Sequence, residues 1–152
     1  MHIILVEPEI PQNTGNIVRT CALTKTVLHL VKPLGFSIED RYLKRAGLDY
    51  WDKIEVHIWD SYEEAINSFT HGNIYLATTK ATKNYCDVAY KPDDVLVFGP
   101  ESKGLSDKVL ASQPNNWIRI PMVNIGRSLN LSNSAAIILY EALRQQGFKD
   151  LK

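Results

Sequence analysis

Only two cysteines, Cys21 and Cys86, occur in 152 residues, far apart and outside any CxxC spacing. With four scattered histidines they supply neither a disulfide framework nor a set of metal ligands, and they suit a reducing cytosol. No apolar run approaches the roughly 20 residues needed to cross a bilayer. The opening MHIILVEP is too short, and too acidic at Glu7, for a secretory leader. Charge of one sign is also missing. Seventeen Lys and Arg meet seventeen Asp and Glu, so no overall positive field advertises a nucleic acid, and any RNA surface must be a local cluster. Repeats, low-complexity tracts and linkers are absent. What is present is the balance of a folded globular protein, 45% hydrophobic and 22% charged, in a chain long enough to bury a core. The expectation is a single cytoplasmic domain over residues 1–152, without metal or membrane.

Short apolar runs alternate with amphipathic stretches, the pattern of an α/β layer fold. Candidate strands are His2–Glu7, Val27–Val31, Ile54–Trp59, Asn73–Thr78, Asp94–Phe98 and Trp117–Ile120. Most are continuous in Ile, Val and Leu, as strands of a parallel sheet covered on both faces should be. Helices are expected after Ser37 (with Asp40, Leu43 and Ala46), after Ser61 with Glu64 as a capping box, and after Ser106. The last is expected from about Ser132 to Gln146, closed by Gly147. This pattern predicts a mostly parallel sheet with helices on both faces and ligands at the carboxyl ends of its strands.

Three segments that follow strands are more polar than chain reversal requires. In the first, PEIPQNTGNIVRT, about 3.6 residues per turn places Ile17, Val18, Cys21 and Ala22 on one helix face and Asn16, Arg19 and Thr20 opposite. Either Asn13 or Thr14 caps this helix and Arg19 is a solvated charge, or the polar groups face a site at the helix start. In the second, VFGPESKGLS, Gly99 and Gly104 either shape a turn or let the backbone approach a ligand beside Glu101. Neither the GxGxxG nor the P-loop spacing is present, which argues against a flavodoxin-like or NAD-binding domain. In the third, IRIPMVNIGRSLNLSNSAA, Ser132 or Asn133 serves as an N-cap. That leaves Arg127, Ser128 and Asn130 without a structural reason, and donors gathered ahead of a helix suggest a site.

Together the motifs Asn13-Thr14-Gly15-Asn16-x-x-Arg19, Phe98-Gly99-Pro100-Glu101-x-x-Gly104 and Ile120-Pro121-Met122 with Arg127-Ser128-x-Asn130-Leu131-Ser132-Asn133 resemble those of SPOUT methyltransferases. The resemblance covers the whole chain and is nearest to the minimal branch that methylates the wobble-position ribose of tRNA. The stretches EPEIPQNTGN and PLGF…AGLDY are also similar to that branch. It implies an α/β sheet with a C-terminal deep trefoil knot, S-adenosylmethionine as cofactor, tRNA as substrate (cytidine or uridine 34) and a homodimer. Cofactor-binding positions then fall on Ala77, Gly99, Ile120, Ser128 and Leu129, and catalytic positions on Asn13, Arg19, Glu101, Ser128 and Asn130. Ser102-Lys103 departs from the Thr-Arg of many relatives, and a lysine lacks the guanidinium fork.

Methyl transfer to a 2′-hydroxyl needs the acceptor in line with the methyl carbon. Ala77, Ile120 and Leu129 suit a purine, and Arg19, too basic to take a proton readily, suits the phosphate and the developing oxyanion. Asn130 and Ser128 are expected to orient the sugar, and Glu101 to organise the second loop or the cofactor amine. Arg41, Lys44 and Arg45 share a helix face that is either solvated or an RNA patch, and Tyr50 and Trp51 are candidates to stack on a base, with core packing the alternative for Trp51. The final helix, with Ala135, Ala136, Ile137, Ile138, Leu139, Ala142 and Leu143, is apolar around more than one stripe, which implies a second buried face. Methylation of rRNA or another tRNA position, and an idle RNA-binding module, are the rival readings.

Overall fold

The computed structural model describes residues 1–39, 41, 45, 50, 51 and 53–152. Six strands, β1 (His2–Val6), β2 (Val27–Val31), β3 (Val56–Trp59), β4 (Ile74–Ala77), β5 (Val95–Phe98) and β6 (Trp117–Ile118), form one sheet in the order β3-β2-β1-β5-β4-β6. Every pairing is parallel. Each expected strand is present, shorter by up to two residues at an end; Glu7, Asn73, Thr78 and Asp94 still hydrogen-bond to the neighbouring strand but fall outside the paired register. At β6 the ladder continues beyond the strand, with Arg119 bridging Asn84 in the β4–β5 connection.

Alternation along the strands divides the core into two layers. Ile3, Leu5, Leu28, Leu30, Leu96 and Phe98 face one side, where α1 (Pro11–Thr24) and α4 (Leu131–Gln145) pack. Ile4, Val6, Val31, Leu76, Val95 and Val97 face the other, under α2 (Tyr62–Asn67) and α3 (Asp107–Ala111). The predicted helices-on-both-faces arrangement is the observed one, and the continuous apolar runs reflect this double coverage. The helix expected after Ser37 rests on Asp40, Leu43 and Ala46, which lie outside the described residues, as does Lys44.

The helix ends carry their chemistry in side chains. Ser61 and Ser106 cap α2 and α3 by accepting from the N–H of Glu64 and Val109. The Glu64 carboxylate accepts from Asp60 N–H, one residue before the cap. At the other end of α4 the N–H of Gly147 (φ 69°) reaches Arg144 O and that of Phe148 reaches Leu143 O, a Schellman closure. Two expectations are corrected. The cap of α4 is Asn130, whose Oδ1 accepts from the N–H of Ser132 and Asn133. And α1 begins at Pro11 after Ile10, so Asn13 and Thr14 are buried inside the helix and cap nothing. Proline fits the first turn because its missing N–H would be unpaired there anyway.

The strand order reverses direction between β1 and β5. From the carboxyl ends of β1 and β5 the chain goes on toward opposite edges of the sheet, to β2 and to β6, and it is in the crevice at such a switch point that open parallel sheets bind ligands.

Candidate active site

At this crevice lies an open cleft of about 880 Å³, walled by residues from all three polar segments. The size suits a nucleoside-sized ligand. Its lining includes Asn13 of α1; Ala77 to Lys80 after β4; Phe98 to Leu105 after β5; Ile118 to Ile120; and Gly126 to Leu131 ahead of α4. Ala77, Gly99, Ile120, Ser128 and Leu129 therefore converge, as do Asn13, Glu101 and Asn130.

A chain of hydrogen bonds ties the segments together. Glu101 of the second accepts from Glu9 N–H (2.8 Å), Ile10 N–H (3.1 Å) and the Asn13 side-chain amide (3.1 Å). It thereby caps α1 from a distance of ninety residues, where Ile10 offers no side-chain cap. Asn13 Oδ1 accepts from Asn130 Nδ2 at 2.9 Å, and Asn130 Oδ1 accepts from the start of α4. Asn13 is only 5% exposed, so both its contacts are made away from bulk water. In return, Glu9 accepts from Ser102 N–H (2.8 Å) and Oγ–H (2.7 Å). Those two donors hold the Glu9 carboxyl below the usual carboxylate range.

The glycines of the second segment serve the loop. A Cβ on Gly99 would lie 2.4 Å from Gly104 C and Leu105 N, so the loop folds back on itself only because Gly99 has no side chain. Gly104 has open space around it and is required by its φ of +67°.

Not every expected residue arrives. Arg19 is six residues beyond Asn13, about 9 Å along the axis and about 120° around it. It is exposed, outside the cleft lining, and its guanidinium lies 5.2 Å from the Tyr50 ring centroid. Tyr50 and Trp51 are half-buried against the α1–α4 layer. Arg41 and Arg45 are exposed. Ser128 is exposed and makes no side-chain hydrogen bond to a described residue, whereas both polar ends of Asn130 are occupied. Glu9 was missed by sequence reasoning; it stands in the conspicuous EPEIP run, but its partner is 93 residues away. Among the described residues no group of three or more His, Cys, Asp or Glu is arranged to hold a metal, and no helix is long and apolar enough to cross a membrane.

Residues 1–140 match the model of the SpoU rRNA Methylase family. The chain belongs to this family. A tRNA (cytidine(34)-2′-O)-methyltransferase of Methylovorus glucosotrophus is 48% identical over 96% of this chain and 96% of its own length. A solved structure described as giving structural insights into the 2-OH methylation of C/U34 on tRNA superposes with a TM-score of 0.92 at 38% identity, covering 97% of each chain. An AdoMet-bound rRNA methyltransferase from Sinorhizobium meliloti superposes with a TM-score of 0.84 at 25% identity, over 94% of this chain and 55% of that one. The two solved structures share the fold of this chain.

Proposed function

We propose that this SpoU methylase transfers the methyl group of S-adenosylmethionine to the ribose 2′-hydroxyl of cytidine or uridine 34 in tRNA. The observation that carries the reading is the convergence of the three segments on one cleft, joined through Glu101, Asn13 and Asn130. The activity of a relative 48% identical over nearly its whole length supplies the substrate. The whole of residues 1–152 acts as one domain, with its C-terminal part knotted as the resemblance to SPOUT methyltransferases implies.

The cleft fits the cofactor. Ala77, Ile120 and Leu129 offer apolar surface for an adenine, and the backbone of 99–104 offers polar edges. When bound, the cofactor supplies an activated methyl group on a sulfonium. The chain's own residues do the rest. Ser128, with its hydroxyl unengaged, orients the acceptor sugar. Glu101 and Asn130 hold the first and third segments in register and act through the elements they cap. Arg19 grips the RNA phosphate and stabilises the developing oxyanion as the hydroxyl proton passes to solvent water and the demethylated cofactor is left as a neutral thioether. Because Arg19 lies outside its own cleft, it acts in the cleft of a second protomer. The surface for that homodimer is the outer face of α4, where Ile137 (38%) and Tyr140 (46%) remain exposed beside α1, which presents Leu23 (56%).

The test is incubation of the protein with labelled S-adenosylmethionine and unmodified tRNA, followed by nucleoside mass spectrometry. A 2′-O-methylated pyrimidine mapped to the wobble position is expected. Transfer to rRNA in preference to tRNA overturns the substrate, and cofactor binding without transfer to any RNA indicates an idle module.

A further inference from the structure

The bonds between residues 8–10 and 99–105 form a reciprocal clasp whose two halves differ in rigidity. Residues 8–10 are pinned from both sides. Gly35 N–H donates to Pro8 O at 2.9 Å, and Gly35 sits so close that a Cβ there would lie 2.7 Å from Glu9 Cα. From the other side Glu101 accepts the N–H groups of Glu9 and Ile10. The tip of the glycine loop is different: Ser102, Lys103 and Gly104 are exposed, and chain direction there is held by the turn from Gly104 N–H to Pro100 O. Among the described residues, the remaining hydrogen bonds at the tip are the two from Ser102 to Glu9. A carboxylate is the right group for this contact because it accepts both donors at once, and bonds to a charged acceptor are the stronger kind. The tip is also a wall of the cleft.

We propose that Glu9 is a positioning residue for methyl transfer: its carboxylate anchors the tip of the glycine loop to the rigid start of α1 and so sets the shape of the cofactor cleft. The inference rests on the reading of that cleft as the S-adenosylmethionine site. Glu9 touches no reacting atom; it acts through Ser102. Its removal weakens cofactor binding more than it slows the bound complex.

The experiment compares wild type, Glu9→Ala, Glu9→Gln and Ser102→Ala in three measurements. They are calorimetric titration with S-adenosylhomocysteine, steady-state methyl transfer, and amide exchange of the 101–105 loop in the ligand-free protein. Glu9→Ala is expected to raise the dissociation constant and the cofactor KM about tenfold or more, the scale of one charge-assisted bond, while kcat at saturation changes by less than about threefold. Loop amides exchange faster while those of the central strands do not. Glu9→Gln, which keeps one acceptor oxygen, recovers part of the affinity, and Ser102→Ala added to Glu9→Ala costs little more. Wild-type affinity and loop protection in Glu9→Ala overturn the proposal. So does faster exchange throughout the sheet with no partial rescue by Gln, since that marks general destabilisation. If the wild type bound neither cofactor nor product, the methyltransferase reading itself would fall, and the exchange data would still report whether the clasp exists.

Discussion

Asn13 is the joint between the three polar segments, and its substitution has a cost that follows from its contacts. Asn13→Ala removes a 3.1 Å bond to the Glu101 carboxylate and a 2.9 Å bond from Asn130. The first, to a charged group, contributes about 1.5–3 kcal/mol and the second about 0.5–1.5 kcal/mol. Glu101 retains two backbone donors and Asn130 Oδ1 its capping bonds, while the freed Asn130 Nδ2 belongs to an exposed residue and turns to water. The expected loss is therefore about 2–4 kcal/mol, or roughly 5–15 °C in Tm for a domain of this size. Asn13→Asp should be worse near neutrality, because it sets a buried carboxylate against that of Glu101. Like-charge repulsion and burial raise the introduced carboxyl's pKa in the folded state. The folded protein then binds more protons than the unfolded one above the unfolded value of about 3.9, and stability falls as pH rises through that window. Urea denaturation of both variants at pH 5 and pH 8 measures this. A loss below about 0.5 kcal/mol for Asn13→Ala, or an Asn13→Asp penalty that does not grow with pH, refutes the joint.

Arg19→Ala should still bind cofactor and dimerise but lose roughly 10²-fold or more in methyl transfer, the effect of deleting one oxyanion donor; mixing it with Asn130→Ala should restore activity if the arginine crosses the interface, and wild-type turnover removes Arg19 from the mechanism. Tyr140→Asp, on the exposed face of α4, should yield a folded monomer in sedimentation, whereas Leu139→Asp, at a fully buried position, should unfold the protomer. His29, buried between His2, His57 and Trp59, has its pKa lowered to about 3, by burial first and then by the two histidines. The folded state therefore resists a proton that the unfolded chain accepts below about 6.5, and stability should fall with pH there by up to about 1.4 kcal/mol per unit. Between pH 6.5 and 5, above the window of the paired carboxylates, His29→Gln should flatten the slope; an unchanged slope places the acid sensitivity elsewhere.

Strand positions and the two-sided burial of the sheet were legible because most strands run in Ile, Val and Leu, with His29 and His57 the polar interruptions of β2 and β3. The amphipathic face of α1 was equally plain: Ile17, Val18 and Cys21 are buried, with Asn16 and Arg19 exposed. Local rules failed where a partner lies far away in sequence. Asn13 and Thr14 look like N-caps, but the cap of α1 comes from Glu101. Ser132 and Asn133 look like caps of α4, but both donate to Asn130, whose own partner is Asn13. The apolar surplus of the last helix was real. Ile138 and Leu139 belong to the protomer's own core, and the face left over is that of Ile137 and Tyr140. Site membership was readable from the three motifs, whereas roles depended on which polar atoms the fold had already engaged, as the contrast between Asn130 and Ser128 shows.

The central claim is tested most directly by changing one oxygen of the substrate. Two tRNA transcripts that differ only in a 2′-hydroxyl or 2′-hydrogen at the wobble nucleotide are each incubated with the protein and labelled S-adenosylmethionine. Label should enter the hydroxyl-bearing tRNA at that ribose and be absent from its deoxy counterpart. Equal labelling of the two would place the methyl group on another atom and contradict the assignment.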